Sequence, residues 1–584
     1  MNKRKSKKFT ADFETSTPIW YEKDGYARVW AWAICEVGNP DNFIYGNNLD
    51  DFMKFCSCKS NYVMLFHNLK FDGQYIIDWL FRNGFSHIKT KEEIKDKTFT
   101  TLINDMGQFY NIIVYFSVKG HKTNKVTFED SLKLLNFSVE KIAKDFDLPI
   151  RKLELDYDTY REVGHELTDH EVDYIRNDVS IMAQALKVMY DEGLDRLTIG
   201  SCALNNFKDN TKDFRTLFPV LPTDIHNAIK NSYKGGFTYL NPTHKDEIIK
   251  DIMVLDVNSL YPSVQRNERL PYGIPIQYEG KYKKDLLYPL YIQVISCSFD
   301  LREGKIPTIQ LKNNLSFIPN QYLESSDGKI VTLTLTSVDL ELFLKHYRVH
   351  DLVYHYGFKF KSLKGIFSNY IDFWTNQKIE SKKLGNSSKY LIAKLMMNSL
   401  YGKFGTSNYV RSKFPYYEDG IVHYEMGELE ERDPVYLPIA SFITSYARKK
   451  TVSTSQAIKD YTIEKYNKDY YIYSDTDSLH MIRLPDEELK KFVDVDDYRL
   501  GAWKIESHAL RGKFIRQKCY IEEDEKGIHA TIAGLPKQLG KYITFENFKE
   551  GFSIKADDLE KEHKLGYKKV KGGVLLVNTD FTIK

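Results

Sequence analysis

Three aspartates carry the clearest chemical signal in this chain, and they come from two distant segments. Asp475 and Asp477 stand in a polar break between two runs of β-branched and aromatic residues, which is typical of a strand–turn–strand hairpin. Asp256 follows an apolar run that predicts another strand. Because side chains alternate along a strand, both hairpin aspartates should point to the same side. Three carboxylates on adjacent strand ends suit two hard divalent cations that bridge a phosphate.

An isolated Asp-Thr-Asp is more often an ordinary polar turn, but a helical segment elsewhere favours the chemical interpretation. Residues 389–405 have helical apolar spacing and end at a glycine. Lys394, Asn398 and Tyr401 fall at i, i+4 and i+7, which places them on one stripe. The stripe predicts a nucleotide site in which Lys394 neutralises a triphosphate and Tyr401 stacks on the nascent base pair.

A second acidic group lies in the first third of the chain. Asp12 and Glu14 alternate along a β run, and Asp72 follows in a helical segment. Tyr174 and Asp178 are one helical turn apart. Four carboxylates and a tyrosine from three segments match a two-metal phosphodiester hydrolase, in which the tyrosine orients the attacking water. Each motif alone is weak, but the ordered set predicts a nuclease.

The composition indicates a large globular protein without a membrane segment. The chain has 584 residues, 42% hydrophobic and 28% charged, so several domains are expected. No apolar run approaches the ~20 residues that a spanning helix requires. The N-terminal stretch reaches Asp12 without the apolar core of a signal peptide. Six cysteines do not form a disulfide framework, so we expect a reducing cytoplasm.

The net charge of +3 is small for a nucleic-acid-binding protein. Metal sites require clustered acids whereas phosphate contacts require lysines, so the two contributions cancel in the total. Basic residues do cluster, at 568–573 and around Lys518. The 41 tyrosines and 35 phenylalanines offer stacking faces for bases, although most of them must belong to an ordinary core.

These motifs occur in the order found in family B DNA polymerases. They are DFETS (12–16), HNLKFDG (67–73), YIRND (174–178), DVNSLYP (256–262), KLMMNSLYGKFG (394–405), YSDTDS (473–478) and KCY (518–520). YKGGFTYLN (233–241), together with the KCY form, resembles the protein-primed branch of that family. The branch includes the strand-displacing replicases of small tailed phages that are used in isothermal genome amplification. The similarity runs almost end to end.

The resemblance implies an α/β multidomain fold, with an RNase H-like 3′–5′ exonuclease domain followed by a right-hand polymerase domain. The implied divisions are the exonuclease at 1–198, palm at 199–267, a first terminal-protein-region insertion at 268–368, fingers at 369–405, a second such insertion (a hairpin) at 406–437, palm again at 438–532, and thumb at 533–584.

In the polymerase site, the resemblance implies that Asp256, Asp477 and the carbonyl of Val257 hold the metals, with Asp475 nearby. Tyr261 would pack beneath the sugar and exclude a 2′-hydroxyl. The implied nucleotide contacts are Tyr261, Lys378, Lys394, Asn398 and Tyr401. The second fingers lysine could be Lys378 or Lys382, and the position of Trp374 at the base of the preceding helix favours Lys378.

The resemblance also implies DNA contacts. In the exonuclease, Asp12, Glu14 and Asp178 would hold metal, while Asp72 and Tyr174 complete the catalytic set. Residues that would hold a frayed 3′ end are His67, Asn68, Phe71, Ser131, Leu132, Phe137 and Tyr157, with Lys152 as an auxiliary lysine. Residues that would guide the strand or grip the primer end are Tyr233, Gly235, Gly236, Lys518 and Tyr520.

The implied cofactors are two Mg²⁺ ions in each active site, with Mn²⁺ able to substitute. The implied partners are a DNA primer–template, dNTPs, a terminal protein that serves as primer, and a viral single-stranded DNA-binding protein. A monomer in the host cytoplasm, away from membranes, is expected. Glu154 stands where a close relative could carry aspartate, so a structural metal at that position is left open.

Two other classes of protein are alternatives to a polymerase. A stand-alone 3′–5′ exonuclease would explain the first third of the chain but leaves the motifs around Asp256, Lys394 and Asp477 without a role. A non-catalytic DNA-binding or priming scaffold would explain the lysines and aromatic residues. It would not explain the intact acidic positions, so an enzyme is the favoured prediction.

Overall fold

The computed structural model of this protein describes residues 6–120, 122–310, 321–558 and 566–584. The predicted exonuclease, first insertion and thumb therefore each include a few residues outside these ranges. Within them, no helix combines the length and the apolar character needed to cross a bilayer. All six cysteines are free thiols.

An eight-stranded mixed sheet organises the first third of the chain. Its strands are β1 (Lys8–Thr15), β2 (Val29–Glu36), β3 (Asn39–Gly46), β4 (Tyr62–Phe66), β5 (Ser86–His87), β6 (Thr98–Ile103), β7 (Phe109–Lys119) and β8 (Lys122–Asp130). They lie in the order β3-β2-β1-β4-β8-β7-β6-β5. Phe9, Ala11 and Phe13 of β1 are buried in one core. Because side chains alternate, Asp12 and Glu14 therefore face the opposite side of the sheet.

The helices of this N-terminal module within the described residues are α1 (Pro18–Asp24), α2 (Leu49–Ser57), α3 (Leu69–Arg82), α4 (Val139–Asp145) and α5 (Asp169–Asp191). A capping box formed by Thr168 and Glu171 starts α5. The Thr10 hydroxyl of β1 donates to the Val179 carbonyl at 2.7 Å. Helix α5 is thus fixed directly against the strand that carries the first acidic pair.

The chain continues through α6 (Ile199–Asp209), α7 (Phe214–Leu217), α8 (Thr223–Lys230), β9 (Thr238–Leu240), β10 (Ile248–Val257) and α9 (Leu260–Asn267). A four-stranded antiparallel sheet follows, built from β11 (Arg269–Glu279), β12 (Leu290–Leu301), β13 (Val331–Thr336) and β14 (Tyr347–Lys364). The helix α10 (Ser337–His346) connects β13 to β14. The strand order is β11-β14-β12-β13.

Next come a helical pair and a β-hairpin, formed by α11 (Ser368–Lys383), α12 (Ser387–Phe404), β15 (Tyr409–Glu418) and β16 (Ile421–Glu431). The Tyr370 hydroxyl of α11 donates to the Met396 carbonyl of α12 at 2.8 Å. Gly385, at φ +68°, occupies the turn between these helices, where a left-handed residue is needed. The turn lies within the Leu-Gly-Asn-Ser-Ser segment that the sequence indicated.

The rest of the chain forms α13 (Leu437–Tyr466), β17 (Tyr471–Asp475), β18 (Ser478–Ile482), α14 (Asp486–Leu489), β19 (Trp503–Arg516), β20 (Cys519–Asp524), β21 (Gly527–Ile532), β22 (Ser553–Ile554), β23 (Gly566–Val570), β24 (Gly573–Val577) and β25 (Phe581–Thr582). A seven-stranded antiparallel sheet has the order β21-β20-β19-β10-β18-β17-β9. Its central strand β10 is buried on both faces, because Met253 and Leu255 enter one core and Ile252 and Val254 another.

Helix α3 holds two hairpins that are distant from it in sequence. The Tyr424 hydroxyl of β16 donates to the Gln74 side chain at 2.8 Å. On the next residue of α3, the Tyr75 hydroxyl donates to the Val574 carbonyl of β24 at 2.5 Å. Val422 is also buried in the core of the N-terminal module. The segment 406–437 was predicted to form a hairpin, and the β15–β16 hairpin packs against this module because its apolar face needs a partner.

The observed class is α/β with several separate sheets, in agreement with the predicted multidomain α/β class. The predicted divisions after residues 198, 267, 405 and 532 fall at or beside the ends of elements. The assignment of domain names to these divisions stays a prediction at this point.

Candidate functional site

The first acidic cluster forms where β1 meets two helices. Asp12 and Glu14 come from β1, Asp178 from α5 and Asp72 from α3. Ligand oxygens of Asp12, Glu14 and Asp178 all lie within 4.8 Å of one another. Tyr174, one turn before Asp178 on α5, is also buried. The structure therefore brings together the carboxylates and the tyrosine that the sequence predicted for a nuclease site.

Burial and mutual repulsion dominate the electrostatics of this cluster. Burial, reinforced by the charge of Asp178, raises the pKa of Asp12 to about 7. Burial and the charge of Asp12 likewise raise the pKa values of Glu14 and Asp72. These carboxylates favour protons over full ionisation when no cation is near, so the cluster is arranged to gain from a bound cation.

One lysine and one tyrosine from the segment before α5 enter the cluster. The Lys152 ammonium group lies 2.5 Å from Asp178 Oδ2. The hydroxyl groups of Tyr157 and Tyr174 lie 2.5 Å apart. Burial raises the pKa of Tyr157 to about 12, and burial with the charge of Glu14 raises the pKa of Tyr174. Both phenols therefore stay protonated at neutral pH and can donate hydrogen bonds.

The donor set of this cluster fits a hard divalent cation. Within the described part of the chain, Asp72 Oδ1 and Asp178 Oδ1 are buried and have no hydrogen-bond partner. Buried unpaired carboxylate oxygens are costly unless a cation coordinates them. Oxygen-only ligands of this kind match Mg²⁺, Mn²⁺ or Ca²⁺ rather than zinc.

The residues predicted to hold a frayed 3′ end divide into two groups. His67 uses both ring nitrogens internally, at 3.1 Å from Ser131 Oγ and 2.6 Å from the Phe137 carbonyl. Burial lowers the pKa of His67. The neutral His67 side chain therefore links the end of β4 to the segment after β8 by hydrogen bonds. Asn68 and Phe71 instead face Tyr567 of β23, which accepts a 3.1 Å hydrogen bond from Asn68. Leu132 lies half-buried beside Ser131.

The second acidic site lies at the end of β10 in the seven-stranded sheet. Asp256 faces Ser478 across the sheet, and the Val257 amide donates to the Asp477 carbonyl at 2.8 Å. Burial and the charge of Asp477 raise the pKa of Asp256 to about 6. The strand–turn–strand interpretation is correct: Thr476 and Asp477 form the turn between β17 and β18.

Asp475 differs from the other two aspartates because it already has several partners. The Lys518 ammonium group lies 2.9 Å from Oδ1 and 2.8 Å from Oδ2 of Asp475. The Thr238 hydroxyl donates to the same carboxylate at 3.0 Å. Tyr520 stacks on Phe514, with ring centroids 5.1 Å apart. Of the predicted primer-grip residues, Lys518 therefore contacts the Asp-Thr-Asp turn directly, whereas Tyr520 packs on Tyr473, two residues before Asp475.

The predicted nucleotide stripe lines an open face of α12. Lys394 and Asn398 are exposed, and the ring of Tyr401 lies 4.1 Å from that of Tyr261. Burial, together with the positive charge of Lys394, lowers the pKa of Lys378 on the facing helix α11. The alternative lysine, Lys382, lies instead over the ring of Tyr498 at 4.7 Å.

The glycine-rich segment 233–236 lies against the Asp-Thr-Asp turn. A Cβ atom on Gly236 would lie 2.5 Å from Thr476 Oγ1, so only glycine allows this approach. A Cβ atom on Gly405, at the end of α12, would likewise lie 2.5 Å from the hydroxyl oxygen of Tyr233. The segment also borders a cavity of about 390 Å³, between α8, α12 and the four-stranded sheet.

Two basic residues of the second site were missed by reasoning from the sequence. Arg448, buried on α13, donates to the carbonyls of Lys234 at 3.0 Å and Gly235 at 2.6 Å, and it pairs with Asp339. Lys504 on β19 lies 3.3 Å from Asp256. Neither belongs to a recognisable motif, and both contacts depend on tertiary packing or strand register, which the sequence pattern does not reveal.

Comparisons with known proteins show similarity along most of the chain. The family model for DNA polymerase type B, organellar and viral, matches residues 54–494. A DNA polymerase of Bacillus phage B103 is 43% identical and covers 99% of this chain and 100% of its own. The DNA polymerase of Streptococcus phage Cp-1 is 32% identical, with 99% and 98% covered.

Solved structures of a phage polymerase are also similar along the whole chain. Phi29 DNA polymerase complexed with primer–template DNA and incoming nucleotides matches with a TM-score of 0.89 and 41% identity, over 99% of this chain and 100% of that chain. The same polymerase complexed with single-stranded DNA matches with a TM-score of 0.88 and 40% identity, with the same coverage.

Proposed function

The chain belongs to the organellar and viral type B DNA polymerases and is a DNA-directed DNA polymerase, and we propose that it replicates a linear viral genome by protein-primed, processive, strand-displacing synthesis with 3′–5′ proofreading. One observation carries the proposal. A single chain holds two groups of carboxylates in different sheets: Asp256 and Asp477 beside a lysine-bearing helix, and Asp12, Glu14 and Asp178 beside the hydrogen-bonded pair Tyr157 and Tyr174.

In synthesis, the residues around Asp256 and Asp477 hold and orient the reactants. Family B DNA polymerases use divalent metals, and we propose two Mg²⁺ ions here, which supply activation of the primer hydroxyl and neutralise the triphosphate. Lys378 and Lys394 contact the phosphates, while Tyr401 and Asn398 face the base pair. Tyr261, whose ring touches Tyr401, closes the space where a 2′-hydroxyl would lie.

In proofreading, the residues around Asp12 hydrolyse the terminal phosphodiester of a frayed strand. Asp12, Glu14 and Asp178 would hold the metals, and Asp72 would complete the acidic set. The protonated hydroxyl of Tyr174, paired with Tyr157, orients the attacking water. Lys152 places a positive charge beside Asp178, where negative charge develops on the leaving oxygen.

The proposed ligands follow from the relatives. Phi29 DNA polymerase has been described with primer–template DNA, with incoming nucleotides and with single-stranded DNA. We extend these ligands to this chain because the corresponding faces are open and carry lysines, at Lys394 and Lys518. A single-stranded DNA-binding protein and a monomeric state in the host cytoplasm complete the proposal.

One assay separates the proposal from its rivals. A labelled primed template is incubated with the protein and Mg²⁺, with and without dNTPs. The proposal predicts extension with dNTPs and shortening of the primer without them. A stand-alone exonuclease would only shorten the primer, and a non-catalytic scaffold would do neither, so either of these results would refute the proposal.

Strand displacement is assigned to the β15–β16 hairpin. No P-loop of the helicase type occurs in the sequence, so unwinding must come from geometry rather than from ATP hydrolysis. The hairpin is held by α3 at Gln74 and lies beside Lys569 of β23, whose ammonium group is 4.2 Å from the Tyr424 ring. Two hairpins joined on one helix can enclose product duplex and leave a template entrance one strand wide.

The test is to replace residues 410–432 by a short Gly-Ser turn. We expect synthesis on open single-stranded template to continue, while products on a nicked circle become short and synthesis stalls at duplex. Melting DNA costs roughly 1.4 kcal/mol per base-pair step. Without the hairpin, the free energy of nucleotide incorporation could no longer be used to separate the strands. Rolling-circle products of full length would contradict the assignment.

Protein priming is proposed from the resemblance of 268–368 and 406–437 to the terminal-protein-region insertions. A terminal protein would present a Ser, Thr or Tyr hydroxyl to the same carboxylates, so no further catalytic group is required. Co-expression with the neighbouring viral gene product and labelled dATP should give a protein-linked dAMP. Its absence with the genuine partner, in both Mg²⁺ and Mn²⁺, would refute protein priming.

A further inference from the structure

Lys504 lies in the proposed polymerase site, at a position that no sequence motif predicts. It lies directly opposite Asp256 on the neighbouring antiparallel strand β19. Its ammonium group is 3.3 Å from Asp256 Oδ1 and 4.0 Å from Glu506 Oε1. Side chains opposite each other across a sheet are close enough to pair, so the register of β10 and β19 creates this contact.

The charge of Lys504 acts on groups of two different elements, the aspartates of the seven-stranded sheet and Lys378 of α11. It opposes the rise in the pKa of Asp256 and Asp477 that burial produces. Its repulsion also contributes to the lowered pKa of Lys378 on α11. Lys504 is therefore near the aspartates of the palm strands and near the proposed phosphate lysine of the helical pair, and a triphosphate that bridges these groups would pass beside it.

The side chain of Lys504 is free to change partners. It is 32% exposed, and its contact with Asp256 is a single ion pair rather than a buried network. A half-buried pair of this kind adds little net stability, because the cost of desolvating both charges offsets much of their attraction, so stability alone does not explain the placement. A lysine has a flexible four-carbon stem and three donors, which allows it to exchange a carboxylate for a nearby phosphate.

We propose that Lys504 is a further nucleotide-binding residue: it pairs with Asp256 until that carboxylate binds metal, and then contacts the triphosphate of the incoming nucleotide. The inference rests on the proposed polymerase function of this site. In the absence of nucleotide, the ammonium group competes with cations for Asp256. Once the carboxylate is occupied, the released ammonium group is beside the cleft where phosphate charge arrives.

The first test measures nucleotide use by Lys504→Ala and Lys504→Arg on an open primed template. We expect KM for dNTPs to rise about tenfold in Lys504→Ala, the size of one lost charge-assisted hydrogen bond, with a smaller change in kcat. Lys504→Arg, which keeps the charge, should recover most of the loss. Lys250→Ala, which removes an exposed lysine further along the same pair of strands, is the matched control and should leave KM unchanged.

The second test measures metal binding without turnover. Asp12→Ala with Asp72→Ala removes the exonuclease site, and Mn²⁺ is then titrated into this background by calorimetry without DNA or dNTP. Removing the competing ammonium group in Lys504→Ala should tighten Mn²⁺ binding about threefold or more, in line with the gain from one unscreened charge. The same substitution should have no effect when Asp256 is also changed to Asn.

The outcomes are decisive in both directions. Unchanged KM together with unchanged Mn²⁺ affinity in folded Lys504→Ala would overturn the proposal. Weaker Mn²⁺ binding would also overturn it, because it would mean that Lys504 merely positions Asp256. If the wild-type protein incorporated no nucleotide, the polymerase function would fail on its own, and the Mn²⁺ titration would still decide whether Lys504 competes for Asp256.

Discussion

The two acidic sites differ in how much of the charge on their carboxylates is balanced by lysines of the chain. In the proposed exonuclease cluster, the carboxylates of Asp12, Glu14, Asp72 and Asp178 lie close together, and the ammonium group of Lys152 forms an ion pair with Asp178. In the polymerase site, Asp256 has Lys504 and Asp475 has Lys518. The first site is thus left with unpaired carboxylate oxygens, whereas the second has carboxylates that are already partly neutralised by the chain.

This difference has a functional meaning. A site with unpaired buried carboxylates depends on metal ions for neutralisation, and its shape is tied to them. A site whose carboxylates already pair with lysines is partly neutralised without metal, and we expect each lysine to exchange its carboxylate for a phosphate when metal and nucleotide bind. The comparison predicts that the two sites respond differently to mutation and to divalent cations.

The largest expected effect comes from removing a carboxylate that is proposed to bind metal in the polymerase site. Asp256→Ala or Asp477→Ala should reduce nucleotide incorporation by about 10³-fold or more, because a lost metal ligand removes several kcal/mol of transition-state stabilisation. Degradation of single-stranded DNA should continue at its normal rate. Primer extension and single-strand degradation, assayed on the same preparation, check both halves.

The matched control for this prediction is Asp497→Ala, an exposed aspartate in the loop before β19. It should leave both activities unchanged. If folded Asp256→Ala lost exonuclease activity as well as synthesis, the two sites would not be independent.

A smaller effect is expected from Lys152→Ala in the exonuclease site. Loss of the ammonium group 2.5 Å from Asp178 should slow degradation by roughly 10- to 100-fold, since charge stabilisation of the leaving oxygen is reduced. Incorporation on a matched primer should not change. Lys141→Ala, an exposed lysine on α4, is a suitable control, and a normal degradation rate in Lys152→Ala would refute the role.

Tyr261→Val tests the steric part of the polymerase site. We expect the preference for dNTPs over ribonucleotides to fall by about 10- to 100-fold, because the ring no longer fills the space of a 2′-hydroxyl. Competing incorporation of dCTP and CTP measures the ratio. Tyr239→Val, a tyrosine elsewhere in the same sheet, should keep it, and an unchanged ratio in Tyr261→Val would exclude the steric role.

The smallest effect concerns stability and pH. Because the folded-state pKa of Asp12 is raised to about 7, its contribution to the stability of the metal-free protein is present at acidic pH and is lost as pH rises towards 7. Added Mg²⁺ should therefore raise Tm more at pH 8 than at pH 5. At pH 8, metal-free Asp12→Asn should melt about 1 °C above wild type, the shift that about 1 kcal/mol gives in a chain of 584 residues.

Differential scanning calorimetry at both pH values, with and without EDTA, checks this prediction. Asp497→Asn serves as the control at an exposed site. A lower Tm for metal-free Asp12→Asn at pH 8 would mean that the Asp12 carboxylate is stabilising when ionised, contrary to its buried environment.

The sequence predicted what depends on local pattern and on motif order. The strand that carries Asp12 and Glu14, the helix turn from Tyr174 to Asp178 and the hairpin around Asp475 were all interpreted correctly, because each has a period or turn signal of its own. The α/β multidomain class and the family also followed from the ordered motifs.

The sequence did not reveal contacts that depend on register or on packing between distant segments. Lys504 meets Asp256 only because β19 pairs with β10 in one particular register. Arg448 reaches the carbonyl of Gly235 through tertiary packing. The attachment of the β15–β16 hairpin to Gln74 likewise arises between residues 350 positions apart, and no local pattern encodes such a contact.

The most direct test of the two-site account uses a primer with a mismatched 3′ end on an open template. The wild-type protein should remove the mismatch and then extend. Asp256→Ala should shorten the primer without extending it, and Asp12→Ala with Asp72→Ala should leave the mismatch in place. If the Asp12 and Asp72 variant still removed the mismatch, or if Asp256→Ala still extended the trimmed primer, the separation of the two sites would be contradicted.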